Sequence, residues 1–220
     1  MVVSGSLAGR PSLAIGSGGE VRIAGGPGTS LEVAGLSVDL VNGARLDLGS
    51  GRIDVASGGI TEAELLAGLA AGRGDGSWGG LSGIGSSSAA ADIAANGPRS
   101  LGWIQQGDGG FVIAYAAPGD TNIDNNVDIL DAGNFLAGAD PGAGRTGRWS
   151  SGDFNYDGLV DILDIGDFMS TGLFDTGDYL GGSATAAVAA VPEPGAGFAV
   201  ALAATCWWAG WIRRRGPQKA

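Results

Sequence analysis

Gly119-Asp120-Thr121-Asn122-Ile123-Asp124-Asn125-Asn126-Val127-Asp128-Ile129-Leu130-Asp131 recurs 33 residues later as Gly152-Asp153-Phe154-Asn155-Tyr156-Asp157-Gly158-Leu159-Val160-Asp161-Ile162-Leu163-Asp164. The pentapeptide VDILD is identical in the two copies, and Gly133-Asn134-Phe135 then matches Gly166-Asp167-Phe168. Between Asp120 and Asp178 there are twelve Asp, no Glu and two Arg, so this block carries nearly all of the chain's net charge of −11. A solvated acidic face needs no such regularity. Carboxylates that are all Asp and that recur in register point to a hard cation.

The spacing has a chemical meaning. A Ca²⁺ ion takes six to eight oxygens at about 2.3–2.6 Å, and a twelve-residue loop supplies them from side chains at positions 1, 3 and 5, a backbone carbonyl at 7, a water-mediated group at 9 and a carboxylate at 12. In the first copy these are Asp120, Asn122, Asp124, the Asn126 carbonyl, Asp128 and Asp131. In the second they are Asp153, Asn155, Asp157, the Leu159 carbonyl, Asp161 and Asp164. The sixth residue of such a loop must turn left-handed, which Gly158 does freely and Asn125 tolerates. The last carboxylate is Asp where an ordinary EF-hand has Glu, so the loop has to close more tightly. The eighth residues, Val127 and Val160, are expected to face each other. Each loop runs on into a helix with an apolar stripe: Ile129, Leu130 and Phe135 in one, Ile162, Leu163, Phe168 and Met169 in the other. No helix is expected before either loop. The expectation is two Ca²⁺ ions per chain; the alternative is a pair of Asp-rich turns without metal. Without the ions the clustered carboxylates repel, so binding free energy becomes folding free energy.

A loop followed by one helix, twice, with Asp closing each loop, resembles a type I dockerin over residues 118–175. The resemblance implies that Ile129, Leu130, Ile162 and Leu163, at loop positions 10 and 11, contact a cohesin-like protein. These residues are apolar where many dockerins carry Ser, Thr or other polar side chains, so packing into the chain's own β domain is the other expectation. Members of that family are attached to polysaccharide-degrading enzymes and also to non-catalytic surface proteins.

Upstream, residues 1–117 read as β-rich. Ser12-Leu13-Ala14-Ile15, Glu20-Val21-Arg22-Ile23, Ser30-Leu31-Glu32-Val33, Ser37-Val38-Asp39-Leu40, Arg45-Leu46-Asp47-Leu48 and Arg52-Ile53-Asp54-Val55 alternate with period two between Gly, Ser or Asn turns. Their recurrence suits the rungs of a β-solenoid, with a small sandwich or meander as the alternative. The region resembles passenger-like β-repeats of bacterial surface proteins. Thr61-Glu62-Ala63-Glu64 fits a capping box opening a helix over 62–72. Ser86 to Ala95 suggests an Ala-rich helix, and Leu101–Gln105 with Phe111–Tyr115 a hairpin. Trp78 and Trp103 are read as covers over the β-stack in preference to ligand platforms.

Downstream, residues 179–190 form a linker. Pro192-Glu193-Pro194, an apolar run from Gly195 to Ile212 and Arg213-Arg214-Arg215 follow in order. The run, at about 1.5 Å per residue, is just long enough for a membrane-spanning helix over 195–212, with Trp207, Trp208 and Trp211 at an interface. Residues 191–216 resemble a PEP-CTERM sorting signal, which implies recognition by an exosortase and export to the cell surface. Cys206 is read as an apolar filler. Residues 1–30 show no signal-peptide pattern.

The expected fold class is therefore mixed: an all-β, solenoid-like N-terminal region with a capped helix and a hairpin, an α-helical dockerin-like domain over 118–178, and a C-terminal transmembrane helix. The chain has no His, which removes the commonest general base and the Ser-His-Asp arrangement. Its acidity opposes nucleic-acid binding. Of five Glu residues, Glu64 is a cap and Glu193 belongs to the sorting motif. A glycosidase needs two carboxylates across a cleft, and outside the loops Asp47 and Asp54 are the pair to examine. The reading is an exported, surface-sorted, non-catalytic protein with a calcium-stabilised assembly module. The alternatives are an accessory fragment of a polysaccharide-degrading system or the C-terminal piece of a larger adhesin.

Overall fold

The computed structural model describes residues 2–3, 9–138 and 147–181. In chain order the elements are β1 (Val2–Val3), β2 (Ser12–Ile15), β3 (Glu20–Ile23), β4 (Ser30–Val33), β5 (Gly35–Val38), β6 (Arg45–Asp47) and β7 (Arg52–Val55). There follow α1 (Glu62–Arg73), β8 (Gly83–Gly85), α2 (Ser87–Ala94), β9 (Ser100–Gln105), β10 (Phe111–Ala116), α3 (Ile129–Gly138), a 3₁₀ turn (Trp149–Ser151) and α4 (Ile162–Ser170).

The first seven strands wind through three sheets in turn. One sheet has the order β1-β3-β6-β8 with every pair parallel, and a second pairs β2 with β5, also parallel. The third runs β4-β7-β10-β9, parallel at first and then antiparallel through the closing hairpin. Register places like residues above one another. Val21 stacks on Leu46 and Leu46 on Ile84; Leu31, Ile53, Ile113 and Trp103 form a second column. Alternate residues of β3 and β4 point inward, so these strands bury Val21, Ile23, Leu31 and Val33 while Glu20, Arg22, Ser30 and Glu32 stay exposed.

Two helices cover this stack. Thr61 caps α1 in a reciprocal box, its side chain accepting from the Glu64 N–H while the Glu64 carboxylate accepts from the Thr61 N–H. α1 buries Leu65 and Leu69. Ser86 caps α2, accepting from the Ala89 N–H at 2.9 Å. Asp47 joins strand to helix: its carboxylate accepts from the N–H of Ser87 and of Gly49 and pairs with Arg22. Trp78 and Trp103 are both buried in this core.

The expected fold class needs correction. Among the described residues the chain is mixed α/β, with several sheets and four α-helices, and residues Met1–Ala184 fall in one compact unit. The loop–helix pair is not an α-helical body standing apart; its aromatic side chains continue the core of the β region. Phe135 stacks on Phe154, Phe154 meets Trp149 edge-on at 5.0 Å, Trp149 stacks on Tyr156, and Tyr156 meets Trp78. The expected transmembrane helix is also corrected. Among the described residues no helix is long and apolar enough to cross a membrane. The longest, α1, has 12 residues, about 18 Å of rise against a hydrocarbon core of about 30 Å. The expected span 195–212, the motif Pro192-Glu193-Pro194 and the Arg cluster lie outside the described residues.

Candidate cation-loop pair

Each loop is held by two backbone residues in the left-handed region. The sixth residues, Asn125 (φ 71°) and Gly158 (φ 83°), turn as the spacing requires. The fourth residues, Ile123 (φ 58°) and Tyr156 (φ 62°), do so as well. A β-branched Ile in that region is strained, roughly 1–2 kcal/mol, and nothing in the sequence flags it. In the second loop the Tyr156 hydroxyl hydrogen-bonds to the Leu101 carbonyl and to Ser100, anchoring this turn to β9.

The opening carboxylates sit deep. Asp120 and Asp153 are buried, and both use Oδ2 to accept the N–H of the sixth residue, Asn125 or Gly158, at 3.0 Å. Asp120 Oδ2 also accepts from the Tyr179 hydroxyl at 2.6 Å, and its Oδ1 receives the Asp124 N–H at 3.2 Å. Asp153 Oδ1 is buried and has no hydrogen-bond partner. Burial pushes the Asp120 carboxyl up to about 6, against the opposing bonds from Tyr179 and Asn125. Burial, reinforced by the Asp164 and Asp157 charges, pushes Asp153 up to about 7. Both shifts mark a carboxylate held out of water without a compensating positive charge. Among the described residues no Arg pairs with Asp120, Asp131, Asp153 or Asp164.

The middle residues make short local turns. Asn122 Oδ1 accepts the Asp124 N–H, and its amide donates to Asp124 Oδ2. Asn155 and Asp157 repeat both bonds. Asp124 Oδ1 and Asp157 Oδ1 then accept the N–H of Asn126 and of Leu159. The ninth residues start the helices: Asp128 accepts from the Leu130 N–H, and Asp161 from the Leu163 N–H.

The closing Asp residues act as clasps. Asp131 accepts from the Thr121 N–H and hydroxyl on one oxygen and from the Asp128 N–H on the other. Asp164 accepts from the Phe154 and Asn155 N–H groups and from the Asp161 N–H. A carboxylate one methylene shorter than Glu thus reaches the start of its own loop and the start of its helix at once. Among the described residues no three His, Cys, Asp or Glu side chains converge as a group able to hold a metal ion. The carboxylates are drawn instead to backbone N–H groups.

The two copies interlock. Phe168 of α4 packs over Gly119, where a Cβ would come within 2.3 Å of the ring, and Phe135 of α3 packs over Gly152, where it would come within 2.2 Å. The Trp149 indole donates to the Asp120 carbonyl at 2.6 Å. Val127 and Val160 are both buried, but the backbone of Val127 pairs with Phe174 and not with Val160. Ile129, Leu130, Ile162 and Leu163 are 61–73% exposed, so none of them packs against the β region. Leu136 and Met169 extend the same exposed apolar helix surface.

Asp47 and Asp54 serve the frame. Asp54 accepts from Nε and Nη2 of Arg52 and from the Ser30 hydroxyl, and Asp47 is engaged as described above.

Comparison with protein-family models, with curated proteins and with solved structures finds no match.

Proposed function

We propose that residues 118–178 form a calcium-stapled, non-catalytic assembly module in an exported, surface-sorted protein. The observation that carries this reading is Asp153 Oδ1, a buried carboxylate oxygen without a partner, at the opening position of a loop whose spacing suits a hard cation. A buried carboxylate oxygen left bare costs several kcal/mol in principle, and it is relieved by taking up a proton or by pairing with a cation. The residues that the loop spacing assigns to the ions are Asp120, Asn122, Asp124, Asn126, Asp128 and Asp131 in one loop and Asp153, Asn155, Asp157, Leu159, Asp161 and Asp164 in the other. Bound Ca²⁺ would neutralise charge and fasten each loop to its helix. The exposed Ile129-Leu130 and Ile162-Leu163 pairs are the surface that the dockerin resemblance assigns to a cohesin-like protein. Export and sorting rest on the sequence Pro192-Glu193-Pro194 and the basic cluster near the C-terminus, in the order an exosortase substrate carries them.

Titration of the full chain with Ca²⁺, followed by calorimetry and native mass spectrometry, is expected to give two ions per chain. A second reading, Asp-rich turns that need no metal, is favoured by the backbone N–H groups that occupy the clasps Asp131 and Asp164. Zero bound ions, with identical melting in EDTA and in millimolar Ca²⁺, would select that second reading.

A further inference from the structure

The chain leaving α4 returns across the first loop and not the second. Asp175 donates its N–H to the Val127 carbonyl at 2.8 Å, and Tyr179 donates its N–H to the Asn125 carbonyl at 3.0 Å. The Tyr179 side chain then passes under the loop. Its hydroxyl accepts the Ala117 N–H at 3.1 Å and donates to Asp120 Oδ2 at 2.6 Å. The Arg99 guanidinium lies 5.2 Å from the centre of the Tyr179 ring and holds it from the other side. Asp120 Oδ2 therefore carries two donors, Asn125 N–H and Tyr179 O–H, which leaves Oδ1 turned to the loop with one long contact. Asp153 accepts the Gly158 N–H on Oδ2, and its Oδ1 has no hydrogen-bond partner. Two loops of nearly the same sequence thus have different outer partners.

We propose that Tyr179 is a positioning residue for cation capture by the first loop, and that the Phe174–Leu180 strap is fastened when that loop fills. This rests on the calcium reading given above. A hydrogen bond to the oxygen that faces away from an ion orients the ligating carboxylate, and losing such a partner typically lowers metal affinity about 10- to 100-fold. The coupling is reciprocal: a strap that favours the filled loop is itself held more firmly by the ion. The two sites are consequently inequivalent, and only the first reports to the chain that continues beyond Gly181.

The test uses full-length protein and Tyr179→Phe, which keeps the ring under Arg99 and removes the hydroxyl. Terbium luminescence and calcium calorimetry resolve two binding steps, and Asp153→Asn identifies which step belongs to the second loop. The expected result is about a 10-fold loss of affinity in the first-loop step alone, with the second-loop step unchanged. Hydrogen exchange gives an independent readout. Calcium is expected to slow exchange at the Asp175 and Tyr179 amides in the native chain, and to do so less in Tyr179→Phe. Unchanged affinity in both steps overturns the proposal while leaving two-ion binding intact. Equal weakening of both steps together with a lower melting temperature also overturns it, since Tyr179 is then merely part of the core. A native chain that binds no ion at all removes the calcium reading and this proposal with it.

Discussion

Gly119 and Gly152 show how a single missing methyl group sets the interlock. Each has a positive φ (106° and 105°) and each lies under a Phe ring from the other copy. Ala at either place meets both a strained backbone and a ring with nowhere to go. Gly152→Ala is expected to cost about 3 kcal/mol in denaturant unfolding, because left-handed strain and overpacking add. A cost below about 0.5 kcal/mol, the level of an ordinary surface change, would refute the interlock. Asp47 offers a pH-dependent case outside the loops. Burial pushes its carboxyl upward, but N–H donors from Ser87 and Gly49, the Ser87 hydroxyl and the Arg22 charge outweigh it and hold it below the ordinary value. A carboxyl lowered on folding contributes stability above its unfolded pKa and loses it as pH falls toward the folded one. Asp47→Asn is therefore expected to lower stability by about 2 kcal/mol at neutral pH and to flatten the loss below about pH 4. Denaturant midpoints measured from pH 7 down to pH 3 check both the size and the slope.

At the scale of elements, each helix starts where its cap dictates. Thr61 and Glu64 satisfy two backbone donors at the start of α1, and Thr61→Ala is expected to cost about 1 kcal/mol by thermal or urea unfolding. The helices after the loops use Asp128 and Asp161 in the same way, so the ninth residue of each loop opens the helix that follows. The exposed pairs behave differently. With Ile129, Leu130, Ile162 and Leu163 in water, changing Ile129 and Leu130 together to Ser is expected to move stability by less than about 1 kcal/mol. A loss of several kcal/mol in the free chain would show that these side chains are packed against something in it. Much of this level was legible beforehand. The capping box, the period-two strands and the repeat at offset 33 are local patterns, and local patterns fold locally. The left-handed Ile123 and Tyr156 were not legible, because Ile and Tyr carry no propensity for that conformation and only the closing of the loop imposes it.

For the whole molecule, the core is continuous from the β-stack through Trp78 and Tyr156 to Trp149, Phe154 and Phe135. Cation binding in the loops should accordingly be felt by the entire unit and not by a detached module. Two sites each held at a hundredfold excess over Kd add about 5 kcal/mol, or about 10–20 °C in Tm for a unit of this size. Differential scanning calorimetry is expected to give a single transition that moves together in calcium and in EDTA. Two separate transitions, one of them insensitive to calcium, would contradict the shared core.

The amino-acid order by itself determined the duplicated loops, the regular spacing of their carboxylates, the sites of the caps and the alternation of the strands, since each depends on neighbours within a dozen residues. Tertiary structure alone decided that Phe135 and Phe168 exchange places over the opening glycines, that Val127 pairs with Phe174, and that Tyr179 serves Asp120 while Asp153 Oδ1 is left bare. Those outcomes depend on which surfaces meet when the chain collapses. Two copies with one pattern receive different neighbours because Tyr179, after α4, reaches the first loop, while the second is met by Gly147, whose N–H donates to the Gly158 carbonyl.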